Sequence, residues 1–307
     1  MSDPRPLPNG KCQTQPVPRH ANVPIRRWAF DNTVKSEFRS WDSTDANDAV
    51  ALEEPLEIRL QYGPSDRRVS RSLSITMRTP GDDYELAVGF LLSEGVVRRA
   101  KDILATEETV AQPSPTSNVV RVALAADLDV DLGKLQRHFY TTSSCGLCGK
   151  SSLEALEHRG LDFVPTESWR ISPAWVASLP SLLRAAQRIF AATGGLHASG
   201  LFAVNGPLQL LREDVGRHNA LDKLLGRMLI EDQLPLSDHV LVVSGRTSLE
   251  LIQKAVAAGV PVLAGIGAPS SLAVDCAQRF GVTLLGFVSQ DRFNCYAHPQ
   301  RIAEIMR

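Results

Sequence analysis

Two thiols lie three residues apart in "TTSSCGLCGK", residues 141–150: Cys145 and Cys148, with Gly146 between them and Gly149 after them. Three chemistries use this spacing. A structural zinc site needs four ligands, usually a second Cys pair or a close His pair. No second C-x-x-C exists among the five cysteines; Cys276 falls within an amphipathic helical pattern and Cys295 near the C-terminus, and both read as packed thiols. A thioredoxin-like dithiol follows a strand directly and opens a helix. Here the preceding "DLGKLQRHFYTT" reads as helix and loop, a poor fit. A sulfur carrier needs an exposed cysteine with thiolate character. The glycines supply a mobile mount. Lys150 and the start of the next helix ("SSLEALEHRG", with Ser151 and Glu154 as a capping box) favour the thiolate. The second cysteine resolves a persulfide by thiol–disulfide exchange. Local sequence alone leaves carrier and redox dithiol unseparated.

A second chemistry lies in the last third of the chain. "HVLVVSG", "VPVLAGIG" and "VTLLGFVS" read as short buried strands, with the helices "TSLELIQKAVAAG" and "PSSLAVDCAQRFG" between them. This alternation predicts a parallel βαβαβ sheet with right-handed crossovers. Ligands of such sheets sit beyond the carboxyl ends of the strands. That singles out "SGRTS" (244–248), "GAPSS" (267–271) and "SQDR" (289–292). Two of these loops run into helix N-termini, which favour anions. Ser244, Thr247, Ser248, Ser270 and Ser271 add hydroxyls, and Arg246 and Arg292 add charge suited to phosphate. The plainer alternative makes these hydroxyls helix caps only, with Thr247 and Glu250 forming a capping box. Three such loops on one sheet edge favour a phosphate-bearing ligand. Neither G-x-G-x-x-G after a strand nor G-x-x-x-x-G-K-[ST] occurs, which argues against a dinucleotide dehydrogenase and a P-loop ATPase. His197 in "TGGLHASG" and His218 in "EDVGRHNALDK" sit beside regular elements, His218 just after Asp214, a candidate N-cap; either alone is a weak signal. A zinc site built from His197 and both cysteines would be like that of the zinc deaminases. Those carry H-x-E and P-C-x-x-C, whereas Ala198-Ser199 follow His197, and the Cys pair precedes it without the proline.

These residues need elements to hold them. Residues 1–24 contain six prolines and read as a disordered tail. A smaller α+β domain is expected over 25–138, with strands at 55–61 and 69–77 around a Gly63-Pro64 turn, a helix over "DDYELAVGFLLSEGV" and a strand in "SNVVRVALAAD". The C-x-x-C loop spans 139–150, and the α/β domain 151–307. Within the latter, "WVASLPSLLRAAQRIFAATGG" reads as one helix kinked or broken at Pro180, and "ASGLFAVNGPLQLLRED" as a hairpin turning at Asn205-Gly206. A net charge of -1 argues against bulk nucleic acid as partner. The lack of a long apolar run, a signal sequence or a disulfide-like cysteine set makes a cytoplasmic protein the expectation.

The motifs combine. "EEPLEIR", "MRTPGDDYELAVGFLLSEG", "SSCGLCGK", "TGGLHASGLF", "EDVGRHNALDKLLG", "SGRTSLELIQKAVAAGVPVLA", "APSSLAV" and "GFVSQDRFNCYAHPQR" occur in this order from about residue 53 to about 300. The chain resembles the FdhD family of formate dehydrogenase accessory proteins. The resemblance implies a sulfur carrier that takes sulfur from a cysteine desulfurase. It delivers that sulfur to the molybdenum of bis(molybdopterin guanine dinucleotide), which a guanine nucleotide would mimic. It implies Cys145 as the persulfide carrier and Cys148 as helper. It implies cofactor contacts from Phe287 through Arg292 (Phe287, Val288, Ser289, Gln290, Asp291, Arg292), a core like the cytidine deaminase fold without its zinc, a homodimer, and formate dehydrogenase as client. The strand-edge residues Ser244, Arg246, Thr247, Ser270 and His197 complete the expected cofactor site. Ser289-Gln290-Asp291 stand where the family often carries a basic residue and a glycine, which shifts charge onto Arg246 and Arg292. The alternatives to sulfur transfer are a molybdenum-cofactor chaperone that only delivers its cargo and a dithiol oxidoreductase.

Overall fold

The computed structural model describes residues 17–30, 41–104, 118–126, 128, 164 and 169–304. Cys145, Cys148 and the helical patterns around them lie outside the described residues.

The first element is a ribbon of two antiparallel strands, β1 (His20–Phe30) and β2 (Trp41–Ala51), with His20 opposite Ala51. It begins inside the stretch expected to be tail. Ala21, Val23 and Ile25 are half-buried while Asn22, Pro24 and Arg26 are exposed, so the prolines conceal a two-residue alternation. Pro24 is tolerated because a two-stranded ribbon consists of edge strands. Next come β3 (Glu54–Tyr62), β4 (Val69–Arg78) and β5 (Val119–Ala123), ordered β4-β3-β5. Leu56, Ile58, Leu60, Val120 and Val122 of this sheet join one core with Leu86 and Leu91 of α1 (Asp83–Ser93).

The larger sheet has six strands in the order β11-β10-β9-β8-β6-β7. They are β6 (His197–Ala203), β7 (Leu208–Asp214), β8 (His239–Val243), β9 (Val262–Gly265), β10 (Thr283–Gly286) and β11 (Asn294–Ala297). β8, β9 and β10 are parallel and form the expected βαβαβ unit with α5 (Leu249–Ala257) and α6 (Ser271–Phe280). The flanking pairings are antiparallel: β10 with β11, β8 with β6, and β6 with β7. Hence the amino end of β6 and the carboxyl end of β7 share an edge with the carboxyl ends of the parallel strands.

The expected long helix is two: α2 (Pro173–Ala186) and α3 (Arg188–Thr193). Pro180 lies inside α2, and the break falls at Gln187, whose ψ is 87°. The buried Glu213 carboxylate accepts the N–H groups of Ile189 (3.1 Å) and Phe190 (2.8 Å), so an acid from β7 caps the second helix.

α4 (Arg217–Ile230) packs on α1 through glycines. A Cβ on Gly89 would meet the Asp222 carbonyl oxygen at 1.9 Å, and one on Gly226 the Glu85 carbonyl oxygen at 1.8 Å. Only glycine permits this crossing. Buried charge also ties α4 to β7 and to the turn before α1: Lys223 Nζ contacts Asp214 at 2.8 Å with both side chains fully buried, and it donates to the Thr79 carbonyl at 2.7 Å. Leu56, Ile58 and Leu86 thus share one core with Leu221, Leu224 and Leu241.

Candidate functional site at the strand edge

Three loops meet at the carboxyl ends of β8, β9 and β10, and their backbones are hydrogen-bonded to one another. Gly267 N–H donates to the Gly245 carbonyl (3.2 Å), Phe287 N–H to the Gly267 carbonyl (3.1 Å) and Val288 N–H to the Gly265 carbonyl (3.1 Å). A Cβ on Gly267 would sit 2.8 Å from the Gly245 oxygen, so the loops approach more closely than side chains would allow.

The structure distributes the expected site residues among three settings. Arg246, Ser270, Phe287, Gln290, Asp291 and Arg292 are exposed on this edge. Ser244 and His197 are half-buried, joined through the β6 backbone: Ser244 Oγ accepts the Ala198 N–H at 2.9 Å. Thr247 and Val288 are buried. Thr247 Oγ1 has no hydrogen-bond partner, and a Cβ on Gly265 would come within 2.6 Å of it. The expected Thr247–Glu250 capping box does not form, and Ser248 is the N-cap of α5. Thr247 is held extended instead, its N–H donating to the Ala268 carbonyl (3.0 Å) and its carbonyl accepting from Ser270 N–H (2.9 Å). Ser270 caps α6, its Oγ accepting the Ala273 N–H at 3.2 Å.

Phe287 has the least ordinary backbone of the site. Its φ is 52°, in the left-handed region that disfavours bulky side chains, and the residue is 44% exposed. The neighbouring hydrogen bonds to the β9–α6 loop and the burial of Val288 hold it there. Beyond it, Ser289 N–H and Oγ both donate to the Arg292 carbonyl (2.9 and 3.0 Å), and Gln290 reaches Ser181 on α2 (2.8 Å). The Ser289-Gln290-Asp291 stretch is therefore a closed turn braced on α2.

The edge extends past β8 to residues that the three-loop expectation does not include. The antiparallel β6–β7 hairpin brings His197, Asp214 and the start of α4 alongside the 244–248 loop. A Cβ on Gly245 would meet His197 Nδ1 at 3.2 Å and Arg217 Cδ at 3.7 Å. Asp214, read from sequence as an N-cap candidate, is wholly buried; it accepts from Gly216 N–H (2.9 Å), Asn219 Nδ2 (3.1 Å) and Thr79 N–H (3.1 Å) besides pairing with Lys223. Burial, then the charge of Arg217, lowers the His197 pKa, with Asp214 opposing. His218 is lowered further, to about 3, by burial and then by Lys254, Arg217 and His197. Its Nε2 lies 3.1 Å from the Glu250 carboxylate, and with the imidazole neutral at neutral pH this contact is not an ion pair there.

A pH effect follows. His218 binds its proton near 6.5 when unfolded and near 3 when folded, so the unfolded state takes up more protons in between. Its contribution to stability is complete above the unfolded value and is lost as the pH falls. Between pH 7 and pH 5 the native protein is expected to lose about 2 kcal/mol more than a His218→Gln variant, which has a polar side chain that does not titrate. Denaturant unfolding at the two pH values measures this; equal losses in both proteins would refute it.

The chain matches the model of the FdhD/NarQ family over residues 51–303. It is 51% identical over 260 residues to the sulfur carrier protein FdhD of Streptomyces coelicolor, an alignment covering 83% of this chain and 89% of that protein. The Mycobacterium tuberculosis protein of the same name is 46% identical, with 83% and 92% covered. A crystal structure named for a formate dehydrogenase accessory protein of Desulfotalea psychrophila superposes with a TM-score of 0.63 at 24% identity, covering 93% of this chain and all of that one, and supports the fold. A family match over 51–303 begins just before β3, ends just short of the last described residue, and takes in the three- and six-stranded sheets, the strand edge and the C-x-x-C segment: this chain is a member of the FdhD/NarQ family.

Proposed function

We propose that the protein is a sulfur carrier that matures formate dehydrogenase, holding sulfur on Cys145 and binding a molybdenum-bearing guanine dinucleotide as substrate at the strand edge. The observation that carries the binding half is the stack of three loops at the ends of β8, β9 and β10, with Arg246, Ser270 and Arg292 exposed beside Phe287. A glycine would satisfy the φ of 52° at Phe287 without strain, so the ring is not there for the fold. An exposed aromatic face beside anion-binding loops suits a planar base joined to phosphates.

The sulfur half rests on the C-x-x-C and on the relatives' name. The Cys145 thiolate attacks the terminal sulfur of a cysteine desulfurase persulfide, taking that sulfur and releasing the desulfurase thiolate. The Cys148 thiolate then attacks the inner sulfur of the Cys145 persulfide. A Cys145–Cys148 disulfide forms and hydrosulfide leaves, the two thiolates supplying the two electrons that reduce sulfane sulfur to sulfide. The metal accepts that sulfide, and a dithiol reductant restores the pair. The same reading takes the βαβαβ core as deaminase-like, the protein as a cytoplasmic homodimer, and a desulfurase as its donor partner.

Binding of guanosine diphosphate, followed by calorimetry, tests the site. Phe287→Ala is expected to weaken it by roughly 1–3 kcal/mol, the worth of one stacked base. The fold should be unharmed, because the ring is exposed. Unchanged affinity in the variant would remove Phe287 from the site; no binding by the native protein would remove the site.

A further inference from the structure

The turn from β7 into α4 holds a charge that the described residues leave unanswered. Arg217 is the first residue of α4, and its side chain lies over Gly245 beside His197. Its Nε is buried and has no hydrogen-bond partner, and no carboxylate forms an ion pair with it among the described residues. Other arginines of the molecule are paired: Arg78 with Asp83 in two contacts of 2.9 Å, and Arg212 with Glu85 at 2.7 and 3.0 Å. Two acids on neighbouring segments lie against other groups. Asp214 is paired with Lys223 at 2.8 Å in the interior, and Glu250 lies against His218 at 3.1 Å.

A guanidinium removed in part from water and given no counter-charge is a cost that a folded protein carries only when something else supplies the anion. The surroundings favour an anion as well. Both neighbouring histidines are neutral, so they offer N–H donors without requiring charge, and Arg217 stands at the start of a fourteen-residue helix whose dipole has the same sense. The fork of an arginine suits two phosphate oxygens.

We propose that Arg217, with His197 and the backbone at Gly245, forms an anion subsite that binds a phosphate group of the ligand held at the strand ends. The subsite adjoins the 244–248 loop through Gly245, so neighbouring phosphates of one ligand would occupy both, and the ligand class is a nucleoside diphosphate or a larger molecule containing one. The proposal rests on the nucleotide reading of the strand edge and adds to it a residue outside the three loops.

Calorimetric titration of the full chain with guanosine diphosphate and with guanosine separates the two claims. Arg217→Gln is expected to weaken diphosphate binding roughly ten- to a hundredfold, the effect of losing a hydrogen bond to a charged group. Guanosine, which has no phosphate, should bind native and variant protein alike. Arg217→Lys, which keeps the charge but not the fork, should fall between. Without ligand, Arg217→Gln should melt no lower than the native protein, since the cation has no protein partner to lose. Diphosphate binding unchanged in Arg217→Gln, or a lower melting temperature of that variant without ligand, overturns the subsite and leaves the nucleotide reading intact. A native protein that binds neither compound overturns both.

Discussion

Gly226→Ala is expected to destabilise the protein by about 3 kcal/mol or more, at the upper end of what overpacking costs. The added Cβ would lie 1.8 Å from the Glu85 carbonyl oxygen and 2.7 Å from the Gly89 nitrogen. Both are backbone atoms within or at the hydrogen-bonded frame of α1, so neither can swing away as a side-chain end would. The helices must separate, and their separation loosens Leu86, Leu91, Leu221 and Leu225, which lie in one core. The melting temperature should fall by roughly 6–12 °C. Gly195→Ala is the matched control: its Cβ would meet nothing nearer than 3.8 Å. A Gly226→Ala protein that melts with the native one would mean that the two helices do not cross as described.

Lys254→Met is the second large effect. Lys254 Nζ donates to both oxygens of Asp222 at 2.6 and 2.8 Å, and Ser93 Oγ donates to the same carboxylate at 2.8 Å. Both charged side chains are at least nine-tenths buried. Removing the cation strands the anion, at a cost of about 3–5 kcal/mol. Burial already raises the Asp222 pKa above its ordinary 3.8, with Lys254 as the largest opposing influence, so in the variant the carboxyl will take a proton to stay inside. The folded state then binds more protons than the unfolded one above that value, and the variant must lose stability as the pH rises. His218 also loses the Lys254 charge that helps to keep it neutral, which lessens its own acid sensitivity. Urea unfolding between pH 5 and pH 8 checks both signs. Asp222→Leu combined with Lys254→Met should recover much of the loss. A single variant that is nearly neutral and insensitive to pH would contradict this account of the pair.

The alternation of buried strands and helices after residue 238 was legible because each strand is a short apolar run and each helix follows a Ser-rich cap. The Asn205-Gly206 hairpin was legible for a similarly local reason, and Asn205 does adopt a positive φ of 53°. What the sequence concealed depends on contacts between distant segments. The break at Gln187 is fixed by Glu213, a residue of β7, and not by Pro180, which lies inside α2. The ribbon at His20 hid behind prolines. Thr247 looked like a cap until its pairing with Ala268 and Ser270 was in view. Arg217 sits in "VGRHN" with no motif to mark it, and only the antiparallel placement of β6 and β7 brings it beside Gly245. The one usable signal was a basic residue at the start of a helix after a polar, glycine-containing stretch.

The central claim is that sulfur travels on Cys145. Incubating the protein with a cysteine desulfurase and cysteine, then analysing the peptides by mass spectrometry, should find one added sulfur atom on the Cys145 peptide. That load should be absent from Cys145→Ala and retained, but slow to leave, in Cys148→Ala. A Cys145→Ala protein carrying the native load of sulfane sulfur would contradict the account. So would a Cys145→Ala/Cys148→Ala protein that fully supports formate dehydrogenase activity, the result expected of a chaperone that delivers the cofactor without transferring sulfur.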